Sequence, residues 1–153
     1  ALDAQLQADS GMTLYEYVVL SALSEVGKDG LRVTQLAEVT SAAPSRLSQV
    51  VQRLEQRELL VRRPDPGDGR ATRVHLLPAG RKVLEAAAPG HVAAVRRLVF
   101  DQLTPAQVRQ LRSIAFRIAS TLVPADSLIH THNTFAGSES WWPPRPALAR
   151  QLC

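Results

Sequence analysis

Cysteine is nearly missing from this chain. Its 153 residues hold a single one, Cys153, so no disulfide can close within it, which fits a reducing compartment. No apolar run reaches the ~18 residues needed to cross a bilayer, and no charged start precedes an apolar stretch of signal-peptide type. The expectation is therefore a soluble, cytoplasmic protein without membrane contact. Lysine is also scarce: of the 18 basic residues only Lys28 and Lys82 are lysines, so the net charge of +4 is carried by arginine. Arginine favours planar, bidentate recognition of phosphate or guanine. Catalytic signatures are lacking too. There is no Gly-rich phosphate loop, no Gly-x-Ser-x-Gly, no His-Glu-x-x-His and no paired-cysteine motif, so no enzyme and no cofactor are expected.

What is present is a chain long enough, at 45% hydrophobic, to bury one proper core. Leu14, Val18, Val19, Ala22, Leu23 and Val26 recur at helical spacing behind Thr13, with Glu16 three residues on. That is a capping-box start, and the helix should end near Gly27. Leu31-Arg32-Val33 reads as a short strand. Val33, Leu36, Ala37 and Val39 then make a shorter helix, capped at Thr34 or just before it and stopping in the turn Thr40-Ser41-Ala42-Ala43.

Pro44 suits a first helical position, and the helix it opens runs to about Arg57. Leu47, Val50, Val51 and Leu54 fall at i, i+3, i+4 and i+7 and must face the core. Ser45, Arg46, Gln49, Gln52, Arg53 and Gln56 lie outward on a face without an acid, and Glu55 sits off its centre. Ser, Gln and Arg are side chains that hydrogen-bond base edges and phosphates. Two β-prone runs follow, Leu59 to Arg63 and Thr72 to Leu77. They are joined by Pro64-Asp65-Pro66-Gly67-Asp68-Gly69-Arg70-Ala71, which reads as a hairpin loop. Between Pro44 and His75 stand seven arginines and four acids, a net +3 of the chain's +4. A helix-turn-helix followed at once by an Arg-rich hairpin is the pattern of a winged helix-turn-helix. Such a module lays one helix in a DNA major groove and a hairpin against the neighbouring backbone or minor groove.

From Thr13 to Thr121 the chain resembles the MarR family of winged helix-turn-helix transcriptional regulators. The resemblance is most specific at Asp68-Gly69-Arg70 followed by Val74-His75-Leu76. It is also carried by Arg53-Leu54-Glu55 at the end of the recognition helix and by Pro78-Ala79-Gly80 at the start of the next. It implies that Arg70 reaches into a minor groove and that Asp68 helps hold the wing. Two positions depart from the family pattern: Glu58 stands where Gly is usual, and Leu77 where Thr is usual. A left-handed cap at Glu58 would be strained.

Past the wing, Gly80 to Asp101 is a long helical pattern that Pro89-Gly90 should kink or interrupt. Thr104 and Pro105 are a strong start signal for a further helix with Val108, Leu111, Ile114, Ala115, Ile118 and Leu122 along one side. By the resemblance these helices form a dimerisation region, and a twofold pair would read a pseudo-palindromic site. The family supplies a further N-terminal helix to that interface, of which Leu2 to Ala8 stands ahead of Asp9-Ser10-Gly11. That helix is either short or begins upstream of Ala1.

Pro124 to Cys153, with Trp141-Trp142-Pro143-Pro144-Arg145-Pro146, sustains no period. It reads as a flexible or polyproline-II tail, or as an aromatic anchor, with a last helical turn at Leu148 to Leu152. His130 and His132, two residues apart, lack Cys or Glu partners nearby and read as surface residues, so no metal site is expected.

The sequence thus predicts a mainly α fold with a small β-hairpin wing (α+β). Residues 1–26 form an N-terminal helical segment, 27–77 the winged helix-turn-helix, 78–123 the dimerisation helices and 124–153 an irregular tail. The expected function is a sequence-specific, homodimeric repressor of the MarR type on double-stranded DNA. The resemblance adds release by a small-molecule effector, a phenolic or other aromatic anion. Its DNA-binding residues would be Ser45, Arg46, Ser48, Gln49, Gln52 and Arg53 on the helix and Arg62, Asp68, Arg70 and Arg73 on the wing. The alternative is a winged-helix module that binds protein and not DNA, since fold does not fix function.

Overall fold

The computed structural model describes residues 1–122, and within them the chain adopts the expected α+β arrangement. Helix α1 (Leu2–Ser10) runs two residues beyond the segment read from the sequence and ends at Gly11, whose φ of 63° is left-handed. Helix α2 (Leu14–Glu25) opens with the predicted capping box. Thr13 Oγ1 accepts the Glu16 N–H at 3.1 Å, and Glu16 Oε2 accepts the Thr13 N–H at 2.8 Å. A 3-10 turn at Gly27–Asp29 leads into β1 (Leu31–Arg32), α3 (Val33–Val39) and α4 (Pro44–Gln56). Strands β2 (Leu60–Asp65) and β3 (Asp68–Leu76) form the wing. They are followed by α5 (Pro78–Leu98), a 3-10 turn at Phe100–Gln102 and α6 (Pro105–Leu122). Thr104 and Pro105 act as the predicted start of α6, with Thr104 N–H donating to Gln107 Oε1 at 2.9 Å.

The sheet is antiparallel in the order β1-β3-β2, with Leu31 opposite Val74 and Arg63 opposite Arg73. Here the sequence reading needs correction. It placed residues 64–71 in the hairpin loop, whereas both strands extend into that stretch and only Pro66 and Gly67 lie between them. Pro64 is tolerated inside β2 because β2 is an edge strand and the register slips between Pro64 and Asp65. At such a place a missing N–H breaks no ladder bond.

The inner face of α4 is the expected one: Leu47, Val50, Val51 and Leu54 are at most 2% exposed. They share one buried cluster with Leu6, Val19, Leu20, Leu23, Leu31, Leu36, Leu59, Leu60 and Val74. Burying each such side chain stabilises the fold by about 1.5–3 kcal/mol, so the recognition helix is held from below by four anchors.

Pro89-Gly90 does not interrupt α5, which runs as one helix through both residues. The helix continues despite the N–H that Pro89 lacks and the crowding of its ring against the preceding turn, and Gly90 lets α1 lie close along this stretch. A Cβ at Gly90 would come 2.9 Å from Asp9 Oδ2. At the start of α5, a Cβ on Gly80 would collide with the Leu59 carbonyl, the same oxygen that accepts the Leu77 N–H at 3.0 Å. This close approach fixes α5 against the junction of α4 and the wing.

Apolar side chains of α6 are not covered by the other described residues: Leu111, Ile114, Phe116 and Ile118 are 43–57% exposed, as are Leu98, Val99 and Phe100 nearby at 41–43%. Among the described residues no helix is long and apolar enough to cross a membrane. The tryptophan-containing tail, His130, His132 and the turn at Leu148 to Leu152 lie outside the described residues.

Candidate nucleic-acid interface

Helix α4 buries one face and presents the other. Ser45, Arg46, Ser48, Gln49, Gln52 and Arg53 are all exposed, spaced so that they form one continuous outward surface. The one acid within α4 is neutralised. Glu55 receives the Arg62 backbone N–H at 2.9 Å and the Arg62 guanidinium at 2.6 Å, and these contacts push its pKa below the ordinary carboxylate value. The pair therefore staples the end of α4 to the first strand of the wing. Being half in solvent, it is worth at most about 1 kcal/mol.

The wing is organised around a buried acid, Asp65, only 4% exposed. Its carboxylate accepts from Arg32 Nε at 3.0 Å, from Arg73 Nε at 2.9 Å and from the Gly67 N–H at 2.9 Å. The Arg32 guanidinium above all holds Asp65 far below the usual carboxylate range. Arg73 also donates to the carbonyls of Asp29 and Gly30, both at 3.1 Å. So β1, the loop before it and both wing strands converge on one carboxylate. At the tip, Asp68 Oδ1 accepts the Arg70 N–H at 3.1 Å, an Asx turn that shapes the backbone while the Arg70 side chain stands exposed.

The third component is the first turn of α2, which lies behind the polar side chains of α4. Arg46 sits over the Tyr15 ring, 4.6 Å from its centroid, and the Tyr15 hydroxyl meets Thr40 Oγ1 at 3.1 Å. Glu16, 5% exposed, faces Arg53 Nε at 3.4 Å and Arg57 Nη1 at 3.9 Å. Between these elements opens a cleft of about 610 Å³, lined by Asp3, Leu14, Tyr15, Thr40, Arg46, Gln49 and Arg53 among others.

The structure thus gathers the six helix residues on one face and Arg62, Asp68 and Arg70 on the adjoining wing. It sets Arg73 apart: that guanidinium is turned inward onto Asp65. The organising residues that sequence reading missed are Asp65, Arg32 and Glu16. Asp65 beside Pro66-Gly67 looks like ordinary turn chemistry, and its partner Arg32 lies 33 positions away. Glu16 looked like a capping residue and nothing more.

A winged helix-turn-helix with a basic, acid-free helix face narrows the comparison to regulators of this architecture. A profile described as MarR family matches residues 10–71. A MarR family transcriptional regulator from Streptomyces coelicolor, solved in complex with DNA, is 43% identical. The alignment covers 81% of this chain and 80% of that one, with a TM-score of 0.74. The chain belongs to the MarR family of transcriptional regulators. Two further proteins are similar to the chain. The transcriptional repressor NicR of Pseudomonas putida is 33% identical over 89 residues, which are 58% of this chain and 55% of NicR. CouR from Rhodococcus jostii, solved bound to p-coumaroyl-CoA, is 28% identical, covering 77% of this chain and 80% of that chain at a TM-score of 0.66. The chain matches only about half the length of NicR.

Proposed function

We propose that this MarR-family protein is a homodimeric, sequence-specific DNA-binding repressor of the cytoplasm. The observation that carries the reading is the outward face of α4, where Arg46, Gln49, Gln52 and Arg53 stand exposed with the helix's own acid, Glu55, tied to Arg62. Arg46, Gln49, Gln52 and Arg53, with Ser45 and Ser48, contact base edges and phosphates, and Arg70 reaches from the wing tip into the minor groove. Arg62 meets phosphate at the edge of the wing. Asp68 shapes the tip, and Arg73 serves the wing from within by bonding to Asp65. The functional units are those read from the sequence: residues 27–77 bind DNA and residues 78–123 dimerise, with residues 1–26 contributing.

The uncovered apolar side chains of α6 and of the segment Leu98 to Phe100 support dimerisation, since an exposed apolar surface of this kind marks an interface. An aromatic anion is the effector class that the cleft at Tyr15, Arg46 and Arg53 suits, with ring stacking and a guanidinium within reach of one another. Nothing in this reading requires catalysis.

The test is selection of duplexes from a random-sequence pool by the purified protein, followed by sedimentation of the complex. Recovery of a pseudo-palindrome with half-sites about one helical turn apart, bound by two chains, is expected. Recovery of no sequence preference by a folded protein would favour the protein-binding alternative.

A further inference from the structure

We propose that Glu16 is a positioning residue for DNA recognition. Its buried carboxylate, fixed by the α2 capping box, buttresses the Arg53 and Arg57 guanidinium groups of α4 and sets their aim. The inference rests on the DNA-binding reading above and adds to it a residue outside the DNA-facing surface.

Capping does not account for the charge of Glu16. The box needs an acceptor for the Thr13 N–H, a task that Gln performs as well as Glu, and it uses only Oε2. Yet the side chain is ionisable and 6% exposed, a placement that carboxylates avoid unless paired. The pairing is with the recognition helix: Oε1 lies 3.4 Å from Arg53 Nε, and Oε2 lies 3.9 Å from Arg57 Nη1.

The geometry favours orientation over sequestration. Glu16 engages Arg53 through Nε, at the inner end of the guanidinium, which leaves the outer nitrogens for a second partner. The Arg53 side chain remains 53% exposed and that of Arg57 40%. A guanidinium carries five donors in a rigid fork and can serve a carboxylate behind it and a base or phosphate in front. Without a buttress, a long exposed arginine must be ordered at the moment of binding, and holding it beforehand removes that cost. The neighbouring residue does the same for the other end of α4, where the Tyr15 ring backs Arg46. One helical turn of α2 thus aims three arginines.

The test uses the full chain, a duplex recovered from a random pool by the wild type, and sheared mixed-sequence DNA as the non-specific probe. Glu16→Gln keeps the cap, so its melting curve should superpose on that of the wild type. Its Kd for the selected duplex should rise about tenfold, while binding to mixed-sequence DNA holds or strengthens. In an Arg53→Ala background the same change should have a much smaller effect, because only the longer contact to Arg57 is left for Glu16 to make. Arg53→Lys, which keeps the charge but loses the Nε donor, should lose specific affinity to a similar extent and covers the case of a Glu16 variant that does not fold. The proposal is overturned if Glu16→Gln leaves Kd unchanged, if its effect adds fully to Arg53→Ala, or if affinity rises. Failure of the wild type to bind DNA would instead refute the reading beneath it.

Discussion

Glu58 occupies a position that the geometry of a helix end reserves for glycine, and replacing it should stabilise the protein. Helix α4 closes in a Schellman arrangement: the Glu58 N–H donates to the Glu55 carbonyl at 2.9 Å and the Leu59 N–H to the Leu54 carbonyl at 3.0 Å. Leu54 and Leu59 are both buried beneath it. The motif forces Glu58 to φ 56°, a left-handed value that costs a residue with a Cβ roughly 1–2 kcal/mol. Glycine removes that cost but loses about 0.5–1 kcal/mol more chain entropy on folding. The net expectation for Glu58→Gly is about 0.5–1 kcal/mol of added stability, or a Tm higher by roughly 1–4 °C for a chain of this size. Glu58 also lies at the negative end of the α4 dipole, so part of any gain could come from removing its charge. Glu58→Ala is therefore the control, since it discards the charge and keeps the Cβ. Urea and thermal unfolding of the three proteins decide the matter. If Glu58→Gly is no more stable than Glu58→Ala, the strain argument is wrong.

Three other perturbations follow from the same geometry. Arg70→Ala should weaken binding to a selected duplex by about 1–3 kcal/mol with no change in Tm; unchanged affinity would remove the wing tip from the interface. Asp65→Asn should leave the helical core intact but loosen the wing, seen as faster amide exchange over residues 65–70 and weaker DNA binding. Equal protection in both proteins would refute its organising role. Because Asp65 sits far below its unfolded value of about 3.9, its contribution is present above that pH and is lost only as the pH falls below it. His91 works higher on the scale. Its ring lies 4.5 Å from that of Tyr17, its buried Nδ1 has no hydrogen-bond partner among the described residues, and burial lowers its pKa. The unfolded chain takes up a proton near pH 6.5 that the native chain resists, so this stabilisation is present above about pH 6.5 and is lost as the pH falls through the lowered value. Urea midpoints between pH 7.5 and 5.5 should fall less steeply for His91→Phe than for the wild type; equal slopes would contradict this.

Periodicity was enough to find α2, α4 and α6, because each has a sharp start and an apolar stripe that a single period describes. Thr13 with Glu16, Pro44, and Thr104 with Pro105 all signal locally what they do locally. The strained cap at Glu58 was legible through the family resemblance, which places glycine at that position. The wing was legible in kind but not in extent. Pro64 argues for a loop until the sheet order shows that β2 is an edge, and edge position is a tertiary fact. Pro89-Gly90 misled for a related reason, since the close approach of α1 at Gly90 is invisible in α5 alone. The site divides likewise. The outward face of α4 follows from helical spacing, whereas the carboxylates behind it do not: Asp65 pairs with Arg32 across 33 positions and Glu16 with Arg53 across 37. Composition cannot show which arginines face solvent and which, like Arg73, are held inside.

The central claim is that the arginines of α4 and the wing form a phosphate- and base-contacting surface. Fluorescence anisotropy of the full chain on a selected duplex, titrated from low to high salt, tests it most directly. Each neutralised phosphate contributes about −0.9 to the slope of log affinity against log salt, so a dimer using its exposed arginines should give a slope of about −4 or steeper, reduced in Arg70→Ala. A folded protein whose affinity is flat in salt, and the same with and without Arg70, would contradict the account.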